Sequence, residues 1–465
     1  MQQKIIYGPP GTGKTTRLIE LLEAELERGV RPDRIAFVSF TKEGSENGRS
    51  RAMKAFKLKE DDFPYFRTLH SLAFRACGMK RDSVMSKYHY SQFSKKLGMH
   101  FTGYYTEDLR NDDDLFLFYD ELCRNTPKAA SYYDGLVDTE TLKYVQGNYR
   151  AYKDTFHLFD FTDMISEFVN RGLAAPVDVA FIDEAQDLTS LQWTMAWCAF
   201  RDCERIYIAG DDDQAIYQWS GADVEQFLSL SGEREILRHS HRVPKRIKAF
   251  SERISKQIVH RVEKEYEDTG REGILTYANS LDEFRIKEDE TYMFLSRNSW
   301  YLTEVKTWLE DQGIPYAYKR KPVIKSSDVE AVNSYEKART RGKVSADEKQ
   351  KLFPYLKEGY SIKNPWYDSF NFDPEYAMFL RNVIKRKPKS LTPLVNVSTI
   401  HSVKGAEADN VILLLDMTRQ TYQNLQRNPD SEHRVFYVGA TRAKNALHVV
   451  YSSGRYEYPV EGGEA

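Results

Sequence analysis

Eight residues near the amino terminus, Gly8-Pro9-Pro10-Gly11-Thr12-Gly13-Lys14-Thr15, constrain this chain more than any other stretch. They follow the apolar run Lys4-Ile5-Ile6-Tyr7 and precede a helical pattern with Leu18, Leu21, Leu22 and Leu26 on one side, which Gly29 ends. A strand, a glycine-rich turn and a helix start bring several backbone N–H groups and a partial positive charge to one point, where phosphate oxygens bind. At average residue usage the four fixed positions arise by chance in roughly one or two of a hundred chains of this length. The correct flanks lower that figure. In this pattern Gly8, Pro9, Pro10, Gly11, Thr12, Gly13, Lys14, Thr15 and Thr16 cradle the nucleotide, Lys14 neutralises the β/γ-phosphates and Thr15 ligates Mg²⁺.

Hydrolysis needs a second site, and Val179-Ala180-Phe181-Ile182-Asp183-Glu184-Ala185-Gln186-Asp187 supplies one. A buried strand ends in two acids, so that Asp183 can hold Mg²⁺ through water while Glu184 orients and deprotonates the attacking water. A strand ending in Asp-Glu is common by itself; together with the phosphate loop it points to a nucleotide hydrolase.

Short β-rich runs alternate with helical patterns in two groups, which predicts an α/β chain with two parallel sheets. Lys4–Tyr7, Ile35–Phe40, Val177–Ile182 and Arg205–Ala209 form one group; Tyr292–Leu295, Val395–Thr399, Val411–Leu415 and Leu447–Tyr451 form the other. A length of 465 residues agrees with several lobes. The boundaries expected are 1–77 with 157–236 for the first lobe, interrupted by a helical insertion at 78–156. The second lobe takes 237–319 with 392–456, interrupted by a smaller Lys- and Pro-rich insertion at 320–391, and 457–465 is expected to be a flexible tail.

Composition adds exclusions. With 41% hydrophobic and 29% charged residues the sequence contains no apolar run long enough to span a bilayer, and its first apolar run is too short for a secretory signal. A cytoplasmic location is the expectation. Cys77, Cys123, Cys198 and Cys203 have neither zinc-site spacing nor the density of a disulfide scaffold, and read as reduced. A net charge of −2 requires any nucleic-acid surface to be a local basic and aromatic track. The 30 Tyr and 25 Phe would permit base stacking along such a track.

Further motifs narrow the class. Asp183-Glu184-Ala185-Gln186-Asp187 resembles the second motif of the UvrD/Rep-type (PcrA-like) superfamily 1 DNA helicases, and Ala209-Gly210-Asp211-Asp212-Asp213-Gln214-Ala215-Ile216-Tyr217-Gln218-Trp219-Ser220-Gly221-Ala222 is similar to their third. Ser39-Phe40-Thr41-Lys42 and Thr68-Leu69-His70-Ser71 resemble two earlier motifs. Thr399-Ile400-His401-Ser402-Val403-Lys404-Gly405-Ala406-Glu407 resembles the fifth and Val438-Gly439-Ala440-Thr441-Arg442-Ala443-Lys444 the sixth. The motifs occur in family order and span nearly the whole chain.

The resemblance implies two RecA-like motor domains, each with a mainly helical accessory insertion, and ATP in the cleft between them. It implies that Gln214 senses the γ-phosphate or the attacking water, that Arg242 and Arg442 act as arginine fingers and that Glu407 contacts the ribose. It places Phe40, Tyr217 and Trp219 beside the nucleic-acid strand and Thr68, His70, Thr399, His401 and Lys404 near its phosphates. The expected partners are single-stranded DNA and single/double-strand junctions, engaged by a monomer with no membrane association; the expected activity is 3′-to-5′ translocation with duplex separation, the alternative, which the reduced second insertion allows, being a single-strand translocase that strips bound proteins without efficient unwinding. The family's adenine-reading Gln upstream of the loop has no counterpart beyond Gln2 and Gln3, and the fourth motif reads Ser240-His241-Arg242 where Asn-Tyr-Arg is usual. His241 would stack on the base without distinguishing adenine from guanine, so weak ATP-over-GTP selectivity is expected.

Overall fold

The structure, a computed structural model, describes residues 1–39, 50, 53–54, 56, 59–105, 111–126, 137–342, 345–452 and 454–460. Two compact units emerge. The first holds Met1–Arg242, Ser255–Gly270 and Asp430–Arg434; the second holds Val243–Ile254, Arg271–Pro429 and Val435–Ala465.

In the first unit, strands β1 (Gln2–Tyr7), β2 (Ile35–Ser39), β3 (Tyr65–Arg67), β4 (Val179–Asp183), β5 (Arg205–Gly210) and β6 (Glu233–Ile236) form a sheet in the order β3-β2-β4-β5-β1-β6. Every pairing is parallel. Strand periodicity of two sends alternate residues to opposite faces. Ile5, Tyr7, Ala36, Val38, Ala180, Ile182, Ile206 and Ile208 enter one core, shared with Leu72, Phe168 and Trp193 of the covering helices. Ile6, Ile35, Phe37, Val179, Phe181 and Tyr207 enter the opposite core with Leu18, Ile19 and Leu22 of the helix Lys14–Glu27. Both faces are covered, so the central strands read as continuous apolar runs. Register places Tyr7 opposite Gly210 and Ser39 opposite Asp183, which sets the carboxyl ends of β1, β4 and β5 side by side. In open parallel sheets, ligands bind at those ends.

The first insertion contributes helices Lys87–Leu97, Asp114–Asn125 and Thr139–Phe156. They close over a core of their own around Phe93, Phe101, Leu117, Val145 and Tyr149.

In the second unit, β7 (Ile274–Ala278), β8 (Tyr292–Ser296), β9 (Tyr316–Tyr318), β10 (Lys321–Pro322), β11 (Val395–Thr399), β12 (Ala408–Leu414) and β13 (Ala443–Val450) are ordered β10-β9-β11-β8-β12-β13-β7. All pairs are parallel except the β9–β10 hairpin. Here the smaller insertion packs into the core of the sheet: Val332, Tyr335, Phe379 and Leu380 join Phe294, Val397 and Ile412.

The boundaries drawn from sequence shift in the structure, beginning with 237–242, assigned to the second lobe and grouped with the first unit. Ser255–Gly270 and Asp430–Arg434, read as parts of the second lobe, group with the first unit through buried ion pairs and hydrogen bonds described below. Residues 457–460 are not a loose tail. Tyr458 is buried, its N–H donates to Leu415 O at 2.8 Å and its ring stacks on Phe436 at 3.8 Å, while 461–465 lie outside the described residues. No helix among the described residues is long and apolar enough to cross a membrane.

Candidate nucleotide site and nucleic-acid face

The turn after β1 is held by Gly8 N–H donating to Gly210 O at 3.0 Å and by Thr12 donating to Pro9 O through both its N–H (3.2 Å) and its Oγ1 (2.8 Å). Gly11, at φ +73°, lies in a backbone region that side chains disfavour. Gly8 is required for space: a Cβ there would lie 2.0 Å from Cγ of Lys14, whose Nζ folds back to donate to Gly8 O at 2.8 Å. The N-cap of the helix Lys14–Glu27 is Gly13, which has no side chain to cap the helix.

Thr15 Oγ1 donates to Asp183 Oδ2 at 2.7 Å, which joins the loop to the end of β4. Asp183 is buried, and desolvation, reinforced by the neighbouring charge of Glu184, pushes its carboxyl up to about 6. Glu184 adopts φ +54°, a strained geometry for a non-glycine residue of the kind that collects at functional sites. A hydroxyl and a carboxylate meeting beneath a glycine cradle are the hard oxygen ligands that suit Mg²⁺ on a nucleoside triphosphate. The donor set fits both groups.

From Glu184 a chain of hydrogen bonds crosses to β5. Gln186 Nε2 donates to Glu184 Oε2 at 2.6 Å, Asp211 N–H donates to Gln186 Oε1 at 3.0 Å, and Gln214 Nε2 donates to Asp211 Oδ2 at 2.7 Å. Gly210 makes room for this relay, since a Cβ there would meet Gln186 Oε1 at 2.7 Å.

Sequence reading assigned no role to Gln186, and it missed Lys264 altogether. The Lys264 ammonium is buried within 3.2 Å of Asp211, 2.5 Å of Asp212 and 3.0 Å of Asp213. Arg261 adds a two-pronged pair with Asp213 at 2.8 and 2.6 Å, and buried Arg434 donates to Asp212 O at 2.8 Å. Three acids in succession were the available signal, since buried carboxylates demand cations.

The fourth motif lies on the phosphate loop: Ser240 Oγ donates to Pro10 O at 2.8 Å and His241 N–H to Gly11 O at 2.9 Å. Arg242 is half-buried against Gly11, and the His241 ring is exposed, edge-on to His239 at 4.9 Å. Gln2 and Gln3 open β1, at the end of the strand remote from the loop. In the second unit, Arg442 is buried and donates to Val438 O at 3.0 Å and Ala406 O at 3.4 Å, while exposed Glu407 lies 3.9 Å from Lys444.

Among the nucleic-acid candidates, Phe40 lies outside the described residues. Thr68 caps the helix Leu69–Ala76 by accepting from Ser71 N–H at 3.2 Å. Desolvation lowers the His70 imidazole to about 4, and the largely exposed Phe161 meets its ring edge-on at 5.5 Å. Tyr217 and Trp219 are half-buried, and Trp219 stacks on Phe118 of the first insertion at 6.0 Å. In the second unit Thr399 Oγ1 and Ser402 Oγ lie 2.8 Å apart. His401 is buried and held well below its usual value by desolvation and by the charges of Arg297 and Lys404.

Comparison with known proteins bears on this arrangement. Residues 1–235 match the UvrD/REP helicase N-terminal domain and residues 377–454 the UvrD-like helicase C-terminal domain. A probable DNA helicase of Mycoplasma pneumoniae is 23% identical over 481 residues, covering 96% of this chain and 80% of that protein. The ATP-dependent DNA helicase Rep of Escherichia coli is 25% identical over 49% of this chain, and the ATP-dependent DNA helicase PcrA of Staphylococcus epidermidis is 21% identical over 49%. The matched region spans 36% of Rep and 33% of PcrA.

Proposed function

From the premise that this chain belongs to the UvrD/REP family of ATP-dependent DNA helicases, we propose that it moves 3′-to-5′ on single-stranded DNA and separates duplex strands ahead of it. The observation that carries the reading is the unbroken link from Thr15 through Asp183, Glu184, Gln186 and Asp211 to Gln214. It ties the phosphate loop to the segment that continues into Tyr217 and Trp219.

Lys14 and the N–H groups of the loop bind the triphosphate, while Thr15 and Asp183 would hold Mg²⁺, which neutralises charge on the phosphate oxygens when bound. Glu184 takes the proton from the attacking water, its carboxylate aimed by Gln186. Gln214, oriented by Asp211, reports the state of that water to the aromatic segment five residues on. Arg242, set against Gly11, stabilises charge on the transferred phosphoryl oxygens, a contribution on the order of a thousandfold for an arginine finger. Trp219 stacks on bases, which gives grip on any sequence because every base has a π-face.

Steady-state ATPase with and without single-stranded DNA, run beside strand displacement on 3′- and 5′-tailed duplexes, tests this reading. Stimulation by single strands and displacement from the 3′ tail are expected. Stimulation without displacement would identify a translocase that clears bound proteins, and turnover indifferent to DNA would overturn the motor.

A further inference from the structure

The hairpin at the edge of the second sheet is built against its own backbone preferences. β9 and β10 pair antiparallel, with Lys321 opposite Tyr318, so the turn between them is the two residues Lys319 and Arg320. Both have positive φ, +49° and +66°, the pattern of a type I′ turn. That turn favours Asn-Gly, because side chains crowd the backbone at positive φ. Lysine and arginine sit there instead, followed by exposed Lys321. Strain of this kind, held by the surrounding structure, collects at functional sites.

Charge at the tip is one-sided. No Asp or Glu occurs between Asp311 and Asp328, a stretch that carries Lys319, Arg320, Lys321 and Lys325. From the neighbouring helix Leu302–Asp311, Lys306 brings another ammonium to 5.1 Å from the Tyr318 ring centre, and Lys319 lies 5.8 Å from the same ring. The tip is also fastened to β11 and to the loop after it. Lys319 N–H donates to Val397 O at 3.0 Å, Arg320 N–H to Asn396 Oδ1 at 3.2 Å, and Arg320 Nη2 to the carbonyl of Lys404 at 3.3 Å. Lys404 and His401, the fifth-motif residues assigned to the nucleic-acid face, stand on that loop.

We propose that Lys319, Arg320 and Lys321 form a second grip on the phosphate backbone of single-stranded nucleic acid, extending the Thr399–Lys404 loop along the sheet edge. The proposal rests on the reading of this chain as a single-strand motor. Cations on a rigid turn suit such a track, since phosphate contacts fix a strand's position without reading its sequence. The hydrogen bond from Arg320 to Lys404 O ties the two grips together, so both hold the same strand.

The turn's own chemistry supplies the test. Replacing Lys319→Asn together with Arg320→Gly installs the preferred type I′ pair while removing two positive charges, so the melting temperature should hold or rise. Binding to a labelled oligodeoxythymidylate, titrated by fluorescence anisotropy over a series of salt concentrations, should weaken. The slope of log affinity against log salt should become shallower by roughly 0.7 for each phosphate that the variant no longer neutralises. Lys321→Gln, outside the turn, should give the same change for one phosphate and serves if the double variant melts lower. Equal affinity and equal slope in all three proteins would overturn the grip. Failure of the unaltered chain to bind the oligonucleotide would instead overturn the motor reading on which it rests.

Discussion

Glu184 shows how one residue's geometry bears on catalysis. Its φ of +54° and its bond to Gln186 fix where the carboxylate points, whereas in the proposed function nucleotide affinity rests on the loop and Lys14. Glu184→Gln should therefore retain binding of a fluorescent ATP analogue while turnover falls at least a hundredfold, the lower range for loss of a positioned general base; a fall under tenfold would reassign the base. His70 supplies a pH dependence. Its imidazole ionises at about 4 in the folded chain against roughly 6.5 when unfolded, so between those values the unfolded chain holds more protons. Stability contributed by neutral His70 is complete above 6.5 and declines as pH falls toward 4. Urea midpoints for His70→Asn should fall less between pH 7 and pH 5 than those of the unaltered chain, and parallel curves would refute the burial argument. Trp219 has two partners to lose. Trp219→Ala should weaken single-strand binding by about 1–3 kcal/mol, and loss of the Phe118 stack should lower its melting point. Phe118→Ala separates the effects: it should share the lower melting point but keep more of the DNA affinity, and equal DNA losses in the two variants would make Trp219 a packing residue.

At the scale of elements, the segment Asp211–Gln214 is held in place by residues some fifty positions downstream. Lys264 lies among three buried carboxylates, and loss of its ammonium would remove the ion pairs of Asp211 and Asp212 while Asp213 keeps its pair with Arg261. Breaking a buried pair from one side costs about 3–5 kcal/mol. Lys264→Met should show that loss in urea unfolding, and adding Asp212→Asn should restore part of it. A coupling energy below about 0.5 kcal/mol in that double-mutant cycle would show the ions to be independent. This network also marks where sequence reading stops. Central strands such as β4 and β8 are legible because burial on both faces favours unbroken apolar runs, Val179-Ala180-Phe181-Ile182 and Tyr292-Met293-Phe294-Leu295. The edge strands were not anticipated: β6 reads Glu233-Arg234-Glu235-Ile236, charged because its outer side faces solvent, and β9–β10 carries no Asn-Gly turn signal. The phosphate loop was legible because its chemistry needs fixed residue types in fixed order. The roles of Gln186 and Lys264 exist only once β4, β5 and the Ser255–Gly270 segment meet, and no local pattern encodes that meeting.

For the whole molecule, the division into two units has a thermodynamic consequence. Each unit has its own parallel sheet and its own apolar core, one built on β1, β2, β4 and β5 and the other on β8, β11 and β12. Cores that do not share residues can melt separately, and chains with more than one domain commonly depart from two-state unfolding. Scanning calorimetry should accordingly resolve two transitions. The phosphate loop, Asp183, Glu184 and Gln214 all belong to the first unit. A nucleotide bound there stabilises that unit by mass action, by about 2.7 kcal/mol at a hundredfold excess over its dissociation constant. For a domain of this size each kcal/mol moves the midpoint by roughly 2–4 °C, so saturating MgADP should raise one transition by about 5–10 °C. Identification of that transition comes from substitutions confined to one core. Phe181→Leu, in the first, should lower the transition that MgADP raises, and Phe294→Leu, in the second, should lower the other. Lys14→Ala should preserve both transitions and abolish the nucleotide shift, because the substitution removes phosphate charge neutralisation without opening a cavity in either core. A single transition whose calorimetric and van't Hoff enthalpies agree would refute separate melting, and a nucleotide shift that survives Lys14→Ala would place phosphate binding elsewhere than in the loop.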